Sequence, residues 1–396
     1  MSKFPWSIHA GRVLILILIS MGALFFVEYA TRSLVALEQV STDPILGMRP
    51  SAGDEGDKRG FRNSATLATS SIVALGDSLV YGGNATREEA WPQVLGTFMS
   101  TSVYNMGMTG YSSVQVGYLF DQALSMKPDI TIAGFYLGNS MQGAYDLVYG
   151  NEYWSHLRKT DSSEKEPSQS LYDDRIVLSM GIASGTFNYR LHQIGLWLRE
   201  HSLAYARLAD ISRSLREKIG LASTSKDNAQ RVLSLSVDHP DMVYQVKDKG
   251  IETILTPREE LKAIDLSRTE TKEGWRIAQI QYREMKRKAI NAHSRFIILV
   301  LPSKKQVYQE YWINKDGEVP MEFKPYEDAS EIQLVEVKRF CIDEEIECIF
   351  PLSQMSVALK DGKRIYSNSQ EGHPLPEGYR IIAETIAEYL NENPTR

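Results

Sequence analysis

A serine in a tight turn and a histidine on a distant loop are candidate parts of an acyl-transfer site. Ser78 stands in Gly76-Asp77-Ser78-Leu79, where the apolar run Ile72–Leu75 gives way to a short polar turn. A hydroxyl is a weak nucleophile until a base takes its proton and donors hold the oxyanion that its attack creates. Histidine is the base to seek, and the chain has seven. His9 lies in an apolar N-terminal segment, and His156, His192, His201 and His293 lie in or beside segments of helical period. Two stand on loops, His239 in Val237-Asp-His-Pro240 and His373 in Ser369-Gln-Glu-Gly-His-Pro374. His373 directly precedes a helix that Pro376 is suited to start, which gives it a rigid support, and it is the candidate base. The candidate oxyanion donors are the backbone N–H groups of Ser78 and Gly110 and the side-chain amide of Asn139. Gly110 has no Cβ to keep a substrate from the backbone. Taken singly, each has a plainer reading: Ser78 and Gly110 as turn residues, Asn139 as a helix cap.

The elements that must hold these residues follow a regular rhythm. Apolar runs at 71–76, 102–106 and 130–137 alternate with helix-period segments at 88–100 and 112–125. The rhythm returns with a strand at 295–301, a helix near 329–342, a strand at 346–350 and a closing helix at 378–390. Such alternation marks βαβ units and an α/β domain with a central parallel sheet. Ligands of such a sheet bind beyond the carboxyl ends of its strands. Ser78, Gly110 and Asn139 each follow the carboxyl end of one of the first three strands. Residues from about 141 to 270 read as an insertion into the 70–396 body, with a helical stretch near 187–220 and a hairpin, Met242–Val246 and Ile251–Leu255, turned at Asp248-Lys-Gly250. Tyr145, Tyr149, Tyr153 and Trp154 recur there at near-helical spacing, as either a sugar-stacking face or packing against the core.

Ahead of the body, Val13–Val27 carries no charge and is flanked by Lys3 and Arg12 on one side and Glu28 and Arg32 on the other. A full span takes about 20 residues, and interfacial Trp6 and Tyr29 with a snorkelling Arg12 would lengthen this one. Residues 1–32 are therefore expected to form an uncleaved transmembrane anchor, followed by a linker and lead-in over 33–69. A cleaved signal peptide is the rival, although Glu28-Tyr29-Ala30 puts a charge where cleavage wants a small residue. The positive charges ahead of the segment leave the N-terminus in the cytoplasm and export the body. Export would put Cys341 and Cys348 in an oxidising space, where they either bridge or remain buried thiols. The 396 residues carry a net charge of −6 with no dense Lys/Arg block, which sets nucleic acid aside as a partner. No HExxH, CxxC or P-loop motif is present, so neither a metal nor another cofactor is expected.

Four blocks, in order, resemble those of the SGNH hydrolases, also called GDSL esterases: Gly76-Asp77-Ser78-Leu79, Asn105 to Gly110, Gly138-Asn139 and Glu371-Gly372-His373. The resemblance implies a three-layer α/β/α, flavodoxin-like sandwich, a nucleophile at Ser78, a base at His373 and an oxyanion hole from Ser78, Gly110 and Asn139. The chain departs from the family at two points. Many members have Asp three residues before the histidine, where this chain has Gln370; Glu371, two residues before, is the candidate third member, since Glu replaces Asp in some serine triads. Ser140 stands where the family often has Asp. Asp43-Pro-Ile-Leu-Gly-Met-Arg49, Gly60-Phe-Arg-Asn63, Thr253-Ile-Leu-Thr-Pro257, Leu299-Val-Leu-Pro302 and Val307-Tyr308 are similar to segments of a membrane-anchored bacterial branch with a large insertion. That branch implies a single-pass protein of the bacterial inner membrane with its body on the periplasmic or extracellular side. The activity implied is a serine esterase for acetyl or other short acyl groups on an envelope or exported polysaccharide. An O-acyltransferase for an exported glycan uses the same serine ester and implies a membrane-bound partner that supplies acyl groups. A third reading is a non-catalytic glycan-binding or scaffolding protein on the same fold.

Overall fold

Five apolar runs form one parallel sheet: β1 (Ile72–Gly76), β2 (Val103–Gly107), β3 (Ile130–Tyr136), β6 (Arg295–Leu301) and β7 (Glu347–Ile349). The strand order is β2-β1-β3-β6-β7, every pair parallel. This is the flavodoxin-like order, in which the winding reverses between β1 and β3 and leaves a crevice at their carboxyl ends. The computed structural model describes residues 42–48, 56–159, 243–248 and 250–394, with isolated positions between 194 and 233. The chain divides into two units, residues 42–181 with 225–396 and residues 1–41 with 182–224. The sheet belongs to the first; only isolated residues of the second are described. The expected anchor over 1–32, most of the helical stretch near 187–220, and His239 lie outside the described residues. Among the described residues, no helix is long and apolar enough to cross a membrane.

The central strands are buried on both faces, which is why they read as unbroken apolar runs rather than alternating ones. Their side chains nevertheless alternate between two cores. Ile72, Ala74, Ile130, Ile132, Ile297 and Leu299 face the first, with Trp91 and Leu95 of α2 (Trp91–Met99), Tyr308 and Tyr311 of α7 (Lys304–Asp316), Met355 and Leu359 of α9 (Leu352–Lys360), and Tyr379, Ile382 and Ile386 of α10 (Pro376–Glu392). Val73, Leu75, Met106, Ala133, Phe135, Ile298 and Val300 face the second, with Phe120 of α3 (Ser113–Leu124), Tyr282 and Met285 of α6 (Thr269–Asn291), and Val337 and Phe340 of α8 (Lys324–Asp343). Helices on both faces of one sheet make the three layers.

Between β3 and β6 the described chain forms α4 (Ser140–Gly150), the antiparallel hairpin β4 (Tyr244–Asp248) and β5 (Ile251–Leu255), and α5 (Pro257–Ile264), before α6 returns it to the sheet. Tyr145 and Tyr149 stack on each other with ring centroids 4.4 Å apart, and Tyr145 and Trp154 are buried, so these three pack, whereas Tyr153 is exposed. Cys341, near the end of α8, and Cys348, in β7, form a disulfide. Of the two states open to them from sequence, they adopt the bridge.

Candidate active site

Ser78 opens α1 (Ser78–Tyr81), a single turn capped at its N-terminus by Asp77, whose carboxylate accepts the Leu79 N–H at 2.9 Å. β1 lies between β2 and β3, so the loops carrying Gly110 and Asn139 flank Ser78 on its two sides. The lead-in braces this turn. The Arg62 guanidinium donates to the carbonyls of Tyr81, Gly82 and Ala85 at 3.2, 2.7 and 2.8 Å and stacks on the Tyr81 ring. Asn63 exchanges two hydrogen bonds with the backbone of Asn105, and the Asn105 amide donates to Val80 O at 2.9 Å. The otherwise orphaned carbonyl end of the turn is thereby satisfied, and Ser78 has a fixed base beneath it.

His373 reaches Ser78 from the loop before α10, with Nε2 2.8 Å from Ser78 Oγ. Its Nδ1 pairs with Glu371 Oε1, and its backbone N–H donates to Glu371 Oε2 at 2.9 Å. One carboxylate thus holds both the ring and the backbone of the histidine. Gln370 makes no such contact: its Oε1 is buried without a partner among the described residues. Glu371, and not Gln370, completes the line from Ser78. Burial works against the imidazolium, but the hydrogen bond and charge of Glu371, with the charge of Asp77, outweigh it and raise His373 above its ordinary 6.5. Burial also opposes ionisation of Glu371, yet its bonds to His373 and Asn84 hold its carboxyl below the usual 4.5. The acid favours its charged form, and that charge favours the imidazolium that forms when the base takes the serine proton, as a serine-activating pair requires. Burial pushes Asp77 up to about 6.

The expected oxyanion donors are open. The backbone N–H groups of Ser78 and Gly110 and the side-chain amide of Asn139 have no acceptor among the described residues. Asn139 occupies the cap position of α4 without capping it, and it is exposed, so the plainer reading of this residue fails. Gly110 holds φ +82°, a conformation that residues with a Cβ rarely adopt. Ser140, in place of an acid, accepts the Tyr136 N–H at 3.1 Å.

Several supporting residues carried no sequence signal that singled them out. Asn84, itself in the left-handed region, donates to the Glu371 carboxylate and to His373 O. Gly83 lies against the imidazole, where a Cβ would come within 2.8 Å of His373 Cδ2. Tyr379 donates to Gly83 O at 2.8 Å. Glycine and asparagine directly after a serine block are the only hint, and they read equally well as a turn.

Together, the sheet order and the placing of the four blocks give the chain an SGNH hydrolase-like fold. No family model and no curated protein matches the sequence. Among solved structures, the chain aligns with a protein from Desulfitobacterium hafniense described as lipolytic and of the G-D-S-L family, at a TM-score of 0.32 and 14% identity over 80% of this chain and 97% of that one. It also aligns with a protein from Bacteroides fragilis described as an acylhydrolase, at a TM-score of 0.29 and 9% identity over 90% of this chain and 96% of that one. At such scores neither superposition carries weight for the chemistry, which rests on the side-chain geometry.

Proposed function

We propose that the protein is a serine esterase of the SGNH type that hydrolyses O-acyl esters. The observation that carries this reading is the hydrogen-bonded line from Ser78 Oγ through the His373 ring to Glu371, with three unoccupied donors carried on the turns around it. His373 Nε2 takes the Ser78 proton as Oγ attacks the ester carbonyl, and Glu371 stabilises the imidazolium. Ser78 N–H, Gly110 N–H and the Asn139 amide receive the oxyanion, and His373 then passes the proton to the departing alkoxide. Water, deprotonated by the same histidine, attacks the acyl-serine and releases the acid. Acetyl or another short acyl group on an envelope or exported polysaccharide is the substrate class, and the N-terminal segment holds the enzyme at the outer face of the bacterial inner membrane.

The test is turnover of an aryl acetate, and of an acetylated polysaccharide, by the full-length chain beside Ser78→Ala. The wild type should release acetate while the variant releases essentially none. Equal release by both would dismiss the serine mechanism.

A further inference from the structure

The loop that carries Glu371 and His373 is held from beneath by a buried cation. Lys304 is 1% exposed and is the first residue of α7, at the carboxyl end of β6. The N-terminus of a helix is the wrong end for a cation, because the exposed N–H groups there are already positive. Among the described residues Lys304 has no ion-pair partner; its side-chain nitrogen donates instead to three loop carbonyls, those of Ser367, Ser369 and Glu371, at 3.3, 2.6 and 3.2 Å. Thr253, from β5 of the inserted hairpin, donates to the first two of these carbonyls at 2.7 and 3.3 Å. A lysine buried at this cost, with its nitrogen in hydrogen-bond reach of three alternate carbonyls of the catalytic loop, is poorly explained as packing.

On the reading of Ser78 and His373 given above, we propose that Lys304 is a positioning residue. It gathers the carbonyls of Ser367, Ser369 and Glu371, and so aims the Glu371 carboxylate and the His373 ring at Ser78. Thr253 extends the same grip from the inserted hairpin.

The charged groups around Lys304 support this role. Lys305, its neighbour on α7, is repulsive, but it is itself paired with Glu260 of α5 at 2.9 Å. Glu371 attracts from the loop, and the Tyr366 ring lies 5.7 Å from the ammonium, with Tyr308 of α7 behind it. Burial and Lys305 outweigh Glu371 and bring Lys304 down to about 7. A neutral amine has two N–H donors for three carbonyls, so the grip weakens as pH rises through this value. Global stability does not fall with it. Between the folded value and the ordinary 10.5, the unfolded chain holds a proton that the folded chain has lost, so this lysine's contribution to stability rises with pH. Loss of activity and loss of fold are therefore separable.

The experiment measures the rate of fluorophosphonate labelling at Ser78 against pH, together with hydrogen exchange of the peptide spanning 366–375, in the full-length wild type, Lys304→Met, Lys304→Arg and Thr253→Val. The wild type should show an alkaline limb. Lys304→Met should label about 100-fold more slowly, the scale of a misplaced catalytic group, and the 366–375 peptide should exchange faster while the melting temperature is held. Lys304→Arg, which stays charged, should lose the alkaline limb. Thr253→Val, with Lys304 intact, should show a smaller fall in the same direction. Labelling and loop exchange at wild-type levels in Lys304→Met would overturn the assignment, as would equal slowing at every pH with a matching fall in melting temperature. A wild type that does not label at all would instead remove the ester reading, and this role for Lys304 with it.

Discussion

Replacing Ser78 or His373 by alanine should lower kcat by about 10^5-fold or more, because each is needed for the same proton-coupled attack. Glu371→Gln should lose about 10^2- to 10^4-fold, since it removes the charge that favours the imidazolium and fixes its tautomer. Gln370→Ala should stay near wild type. A large loss from Gln370→Ala, with none from Glu371→Gln, would reverse the assignment of the third member. The base must be neutral to act, and His373 is raised above 6.5, so kcat/KM should fall with acid through an apparent value above 6.5. Asp77→Asn removes one source of that rise and should move the acid limb downward; an unmoved limb would show that Asp77 does not act on His373. Ser78, Glu371 and His373, the residues of the proposed triad, were legible in the sequence because each lies in a short local block. Asn84, Lys304 and Thr253 were not, because their importance comes entirely from partners 287, 65 and 114 residues away in the chain.

At the scale of elements, two glycines make specific demands. Gly83→Ala would drive a methyl group into the His373 ring and should lower kcat more than it lowers stability. At Gly110 a Cβ would meet only Met48 Cε at 3.5 Å, so the penalty of Gly110→Ala comes from φ +82° rather than from crowding; a strain on the order of 1 kcal/mol is expected. Kinetics and urea melts of the two variants check both statements, and unchanged kcat in both would place neither glycine at the site. The bridge between Cys341 and Cys348 joins α8 to β7 across a sequence separation of 7. Replacing both cysteines by alanine should cost roughly 2–3 kcal/mol by loop-closure entropy, read as a lower urea midpoint without loss of kcat. The sheet strands and α2, α3, α8 and α10 could be read from apolar runs and helical period, whereas α6 and α9 were not singled out. α7 could not, because Lys304, Lys305, Gln306 and Gln309 occupy buried positions and erase the polar–apolar contrast on which such a reading depends.

For the whole molecule, the decisive feature is the strand order. Sequence spacing places Ser78, Gly110 and Asn139 at strand ends; only the β2-β1-β3 order makes those ends neighbours. The inserted hairpin also turns out to touch the catalytic loop through Thr253, which no local pattern in the insertion signals. If residues 1–32 anchor the chain, the full-length protein should stay in the membrane pellet through an alkaline carbonate wash, and its release into the supernatant would contradict an anchor. The most direct measurement treats the full-length protein with a fluorophosphonate and reads intact mass and peptide map beside Ser78→Ala. A single adduct on Ser78, absent from the variant, is expected of an activated nucleophile. A folded wild type that acquires no adduct would contradict the serine mechanism.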